Sequence, residues 1–261
     1  MRLMAAEDSV SPPDLLRRIT VPIAGAVVVL LAAAWYVTWS TSEFAMSFLA
    51  MGVPTETFGF GVFFGLIFVM MVAMMLPAAL PMILAFHAMT RLEAGRPAKP
   101  ADAIATALFI LPYFLLWGGF GVLALAGLMA LGLLGPLVGL VVFIPAATLI
   151  AAGLYQVSRP KEVCLTQCQS PMGFVLRHWH SGRTGAVRMG LRHAGYCLGC
   201  CWLFMIVLFV AGSMSLLWMG LLSGVIFVEK VATKQQAVAR GIAALLVVLG
   251  AIALVQGYLA I

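Results

Sequence analysis

The sequence predicts an all-α protein, a polytopic integral membrane helical bundle of about seven transmembrane helices with a cytoplasmic amino terminus. Three observations carry this. Of 261 residues, 64% are hydrophobic and 9% are charged, against about a quarter charged in a soluble domain. Stretches free of Asp, Glu, Lys and Arg reach or exceed the ~20 residues that cross a bilayer core. Threading these stretches back and forth puts all 15 Lys and Arg residues on one side, the asymmetry that marks the cytoplasmic face.

Residues 1–18 read as a cytoplasmic amino-terminal segment. They carry Glu7, Asp8, Asp14 and two prolines before any apolar run, which does not suit a signal peptide. Residues 19–261 read as a single transmembrane domain. Ile19–Trp39 is the first span. Thr57–Thr90 is kept as one long helix, tilted and kinked at Pro77 and Pro81. Ala103–Ser158 crosses twice, with a turn near Leu131–Pro136. His193–Val228 as one helix would reach about 54 Å against a core of about 30 Å. It reads instead as a hairpin turning at Gly212–Ser215, with two short arms, and Gly241–Ile261 is the last span. The Cys/His-rich stretch 159–196 is a cytoplasmic loop holding six of the basic residues, while Glu43 and Glu56 fall outside.

Several function classes are excluded on the same grounds. Scattered basic residues do not make a nucleic-acid face. No internal repeat points to an inverted-repeat transporter. The spans hold almost no ionisable side chains, which argues against a proton-coupled pump or a voltage sensor. No Walker loop, HExxH or GxSxG motif occurs, so no enzyme is expected.

All five cysteines and three of the four histidines lie between Lys161 and Trp202. Cys164 and Cys168, four apart, share a face if helical. His193, Cys197, Cys200 and Cys201 fall at i, i+4, i+7 and i+8, one stripe at the inner mouth of the fifth span. Thiolate and imidazole are the usual ligands of copper and zinc. A cluster of this density favours metal over plain packing of small residues, palmitoylation or a structural disulfide; a disulfide is disfavoured in a reducing compartment. A redox pair at Cys164/Cys168 or Cys197/Cys200 is the alternative. His178 and His180, two apart, could share an ion only in an irregular segment, or lie with Trp179 in the membrane interface.

The second span reads VMMVAMMLPAALPMI, with Met71, Met75 and Met82 close together on a helical wheel and Met74 beside them. Met205 continues the cysteine stripe, and Met214 and Met219 lie near the outer turn. Neutral thioethers bind Cu(I) without burying a charge, so these residues are candidates for a metal path. Packing is their other role. Pro77 and Pro81 free backbone carbonyls of the same span. Glu229 and Lys230 close the sixth span, either as a snorkelling pair that sets helix depth or as outer partners of the cysteine cluster. His87 could approach the same mouth.

The ordered motifs MMVAMMLPAALPMI, KxxCLxxCxxP at Lys161–Pro171, HW at His178–Trp179, MGLRHAGYCLGCCW at Met189–Trp202, GSMSLLWM and EK at Glu229–Lys230 span most of the chain. Together they resemble a bacterial family of predicted metal-binding integral membrane proteins, a domain of unknown function in which some members carry a copper-chaperone label. Ser215 departs from the pattern, which has Asn there. The resemblance implies a multi-pass protein of the bacterial inner membrane with metal ligands at Cys164, Cys168, His193, Cys197, Cys200 and Cys201. The expected function is binding of a soft transition metal, Cu(I) before zinc, for handling or transfer at the membrane. Expected partners are the bilayer and a metal-donor or metal-acceptor protein or membrane complex. A thiol–disulfide oxidoreductase and a structural or assembly subunit are the competing readings.

Overall fold

The computed structural model describes residues 12–44, 57–90, 102–131, 143–211, 215–232 and 234–259. The described residues contain helices and no strand. In chain order the helices are α1 (Pro12–Ser40), α2 (Thr57–Met89), α3 (Ala103–Ala130), α4 (Ile144–Gln156), α5 (Arg159–Gln169), α6 (Pro171–Arg177), α7 (Gly182–Ala211), α8 (Leu216–Val231) and α9 (Gln235–Leu259). Four of them are long and apolar enough to cross a membrane: Phe64–Met89, Ala103–Ala124, Gly182–Val210 and Gln236–Tyr258. Ala24–Ser40 and Ile144–Gln156 are shorter apolar helices.

Each of the seven expected stretches is therefore helical over its described part, with differences at the ends. The expected turn near Leu131–Pro136 begins on schedule, since α3 stops at Ala130, and its remaining residues lie outside the described ones. Most of the turn at Gly212–Ser215 lies outside them too, leaving Ser215 extended ahead of α8.

The larger correction concerns the fifth span. It is not a short arm beginning at His193: α7 begins at Gly182 and runs for 30 residues. Arg183, Arg188 and Arg192 are exposed, while Ala186, Met189, His193, Ala194 and Cys197 are buried. That pattern is an amphipathic helix, which a search for charge-free runs cuts short. The stretch 159–196 is likewise folded as α5, α6 and the first half of α7.

Central α2 packs against α1, α3, α6 and α8, while α7 packs against α3, α4, α5 and α8. Close approach depends on small residues. A Cβ on Gly190 of α7 would collide with the Phe109 carbonyl oxygen of α3. Gly153 of α4 and Gly250 of α9 do the same for a second pair of helices: a Cβ on each would stand 2.9 Å from Ala243 O and 3.0 Å from Ala146 O, respectively.

Proline shapes α2 from within. Pro77 has no N–H, so the Ala73 carbonyl four residues earlier loses its helical partner. Trp35 Nε1 of α1 donates to that oxygen at 3.1 Å. The next two carbonyls are also taken. Ser223 Oγ of α8 donates to Met74 O at 3.0 Å, and Tyr113 OH of α3 donates to Met75 O at 3.1 Å. Three neighbouring helices are thus pinned to one turn of α2, and the expectation of freed carbonyls at Pro77 is met at Ala73.

Candidate metal centre

On α7, Cys197, Cys200 and Cys201 point into the protein, at 0–2% exposure. Their Sγ atoms all lie within 4.8 Å of one another. Cys200 and Cys201 Sγ are 3.1 Å apart, and all five cysteines are free thiols. Two sulfurs on one metal ion at a bond length of about 2.3 Å stand no more than about 4.6 Å apart. The triad therefore needs only small shifts to close on one ion.

Cys197 is the most heavily contacted of the three. Lys230 Nζ of α8 donates to its Sγ at 3.0 Å. Tyr113 OH lies 3.3 Å from the same sulfur while it binds Met75 O. One turn earlier on α7, His193 is 2% exposed, and neither ring nitrogen has a hydrogen-bond partner. Its ring lies nearly parallel to those of Tyr113 and Phe109, with centroids 5.5 and 5.9 Å away. A buried imidazole with both nitrogens unpaired costs free energy. Placed beside thiols, that is the donor set of a soft-metal site.

α5 brings the other two cysteines up to α7. Cys168 is buried on α5, which packs against α7. The neighbouring Cys197 thiol, and then burial, push its pKa up. Cys164 is half-buried against Gly199, its Sγ 2.6 Å from where a Cβ on that glycine would be. Burial raises its pKa too. The expected shared face of Cys164 and Cys168 is present, and it is turned toward the triad.

α5 is docked by a buried polar knot. Lys161 Nζ and Glu229 Oε2 pair at 2.7 Å, and Gln156 Nε2 donates to Glu229 Oε1 at 2.5 Å. Gln169 Nε2 donates to the Glu229 carbonyl at 2.5 Å. Lys161 also sits over the Phe204 ring, 4.5 Å from its centroid. Glu229 and Lys230 are therefore not a snorkelling pair. They are 2% and 7% exposed and hold different partners, one on α5 and one on Cys197.

The remaining candidates divide. His178 Nδ1 is taken up with Phe174 O at 3.1 Å, and exposed His180 Nδ1 with His178 O at 2.8 Å. His87 pairs with Thr106 Oγ1 at 2.8 Å. Met71, Met74, Met75 and Met205 are buried. The Met71 methyl and methylene carbons lie 3.4 and 3.6 Å from the Cβ position of Gly121. Met219 is buried, and Met214 lies outside the described residues. Tyr113 and Gln156 join the site without having been singled out by the sequence, and Lys161 appears there only as the first residue of a motif. For Tyr113 the available signal is a tyrosine in an apolar helix, whose hydroxyl needs a partner.

These features define a class, an apolar helical bundle with a buried cysteine cluster able to hold a metal ion. The chain belongs to the PpoB2 copper chaperone family, whose sequence model matches residues 64–253. Neither a curated protein nor a solved structure matches the chain.

Proposed function

We propose that this protein holds Cu(I) at Cys197, Cys200 and Cys201 and exchanges it with a donor or acceptor protein at the bacterial inner membrane. The observation that carries the reading is the buried triad, three free thiols within 4.8 Å of one another. His193, one turn before Cys197 on α7, and Cys168 on α5 lie outside that group and would have to move to add a further ligand. Thiolates suit soft ions, Cu(I) and zinc among them, and the copper-chaperone family model favours copper. Copper is cargo here, and no catalytic step is assigned to the protein. Seven spans with a cytoplasmic amino terminus would put the triad just inside the cytoplasmic boundary, below exposed Arg192. Thiols on that side stay reduced.

Adjacent thiols also suggest redox chemistry. However, successive Cα atoms lie about 3.8 Å apart, closer than the usual ~4.4–6.8 Å across a disulfide. A Cys200–Cys201 disulfide would be strained, which leaves Cys164/Cys168 and Cys197/Cys200 as the redox pairs to test.

The test is metal content of the full chain purified anaerobically from copper-replete cells. About one copper per chain is expected, falling below about a tenth in Cys197→Ser and Cys200→Ser. Copper-free protein with a reversible dithiol–disulfide transition in thiol trapping would favour the oxidoreductase. One zinc per chain that copper fails to displace would reassign the metal.

A further inference from the structure

Of the five cysteines, four are buried and Cys164 is half-buried. An ion moving between water and the triad by thiol exchange therefore meets Cys164 first. Cys164 and Cys168 lie one turn apart on the α5 face against α7. Cys164 sits on Gly199, the residue before Cys200, and Cys168, one turn further on, is buried on the helix that packs against α7. Both ends of α5 are tied to Glu229, through Lys161 near its start and Gln169 at its end. That fixes the register of the two thiols against the triad.

The geometry points to an ordered thiol ladder, in which Cys164 is the exchange thiol where the ion enters or leaves and Cys168 passes it to Cys197 and Cys200. This rests on the copper reading above. Each rung is a ligand exchange. The incoming thiol forms a copper–sulfur bond, the bond to the departing sulfur breaks, and the incoming thiol's proton goes to the departing thiolate. Copper stays Cu(I) throughout, so no oxidant or reductant is needed. The outside donor or acceptor is a Cu(I)–thiolate protein or small thiol, and the same ladder runs in either direction.

The experiment mixes the detergent-purified full chain with the Cu(I)–bicinchoninate complex in an anaerobic stopped-flow instrument and follows loss of the chelator's colour. Cys164→Ser should take up the same one equivalent at equilibrium, but about tenfold more slowly or worse. Gly199→Ala keeps all five thiols while its Cβ presses the Cys164 sulfur off its seat, and should show the same split. In the parent chain, N-ethylmaleimide should label Cys164 first, and that label should slow uptake. An unslowed Cys164→Ser, or first labelling at Cys200 or Cys201, would overturn the ladder and leave the triad reading intact. Loss of the bound equivalent in Cys164→Ser would also overturn it, by making Cys164 a resident ligand. A parent chain that takes up no Cu(I) overturns the copper reading itself, and the ladder with it.

Discussion

Lys230 Nζ donates a hydrogen bond to Cys197 Sγ at 3.0 Å, across 33 residues and between two helices. A buried lysine ammonium is costly unless it meets an anion. Among the groups around it, a ligating Cys197 thiolate supplies one, since Glu229 next door is committed to Lys161. The lysine would repel a bare cation, yet two or three thiolates around one Cu(I) leave a net negative cluster. In a low dielectric the balance then favours the lysine as counter-charge.

Lys230→Met should accordingly weaken Cu(I) binding about tenfold or more, roughly 1.4 kcal/mol. Anaerobic competition against a chelator of known affinity measures this. Lys230→Arg keeps the charge with a different donor geometry and should recover part of the loss. Tighter binding in Lys230→Met would mean that repulsion of the ion dominates.

The Lys161–Glu229 pair makes a stability prediction independent of metal. Lys161 is 1% exposed and Glu229 is 2% exposed, so removing one partner strands the other. Lys161→Met should cost about 3 kcal/mol, seen as a lower unfolding midpoint in detergent. Lys161→Met with Glu229→Leu removes both charges and should cost clearly less than Lys161→Met alone. Equal losses in the single and double variants would show that the ion pair adds nothing beyond packing.

Helical periodicity makes much of this site legible. The i, i+4, i+7, i+8 spacing puts His193 and three cysteines on one face, and burial of all four agrees. The four-residue spacing does the same for Cys164 and Cys168. Contacts between distant segments are not legible. Nothing local in the chain says that Lys161 meets Glu229, 68 residues on, or that Tyr113 meets Cys197, 84 residues on. The start of α7 is hidden for another reason. Charged residues read as span boundaries, whereas Arg183, Arg188 and Arg192 ride the exposed face of a continuing helix.

Gly190 tests whether the α3–α7 crossing positions the site. An added Cβ would collide with the Phe109 carbonyl oxygen, a backbone atom that cannot rotate aside. Gly190→Ala should cost about 2 kcal/mol or more by overpacking. It should also reduce copper occupancy, because His193 lies one turn further along the same interface. Gly195→Ala is the control. Nothing lies within 4 Å of its added Cβ, and alanine is the better helix former by up to about 1 kcal/mol. Its midpoint should hold or rise.

Trp35 and Pro77 should be energetically coupled through the Ala73 carbonyl. Trp35→Phe in the parent chain loses the indole donor and leaves that oxygen unpaired within the apolar bundle. With Pro77→Ala in place, the new alanine supplies a backbone N–H to the same carbonyl, as in an unbroken helix. The indole is then no longer its sole partner, and Trp35→Phe should cost less by about 1 kcal/mol. Unfolding midpoints of the two single variants and the double variant close the cycle. Additive losses would mean that Trp35 contributes through packing alone and that the N–H missing at Pro77 leaves no hydrogen-bond deficit for α1 to fill.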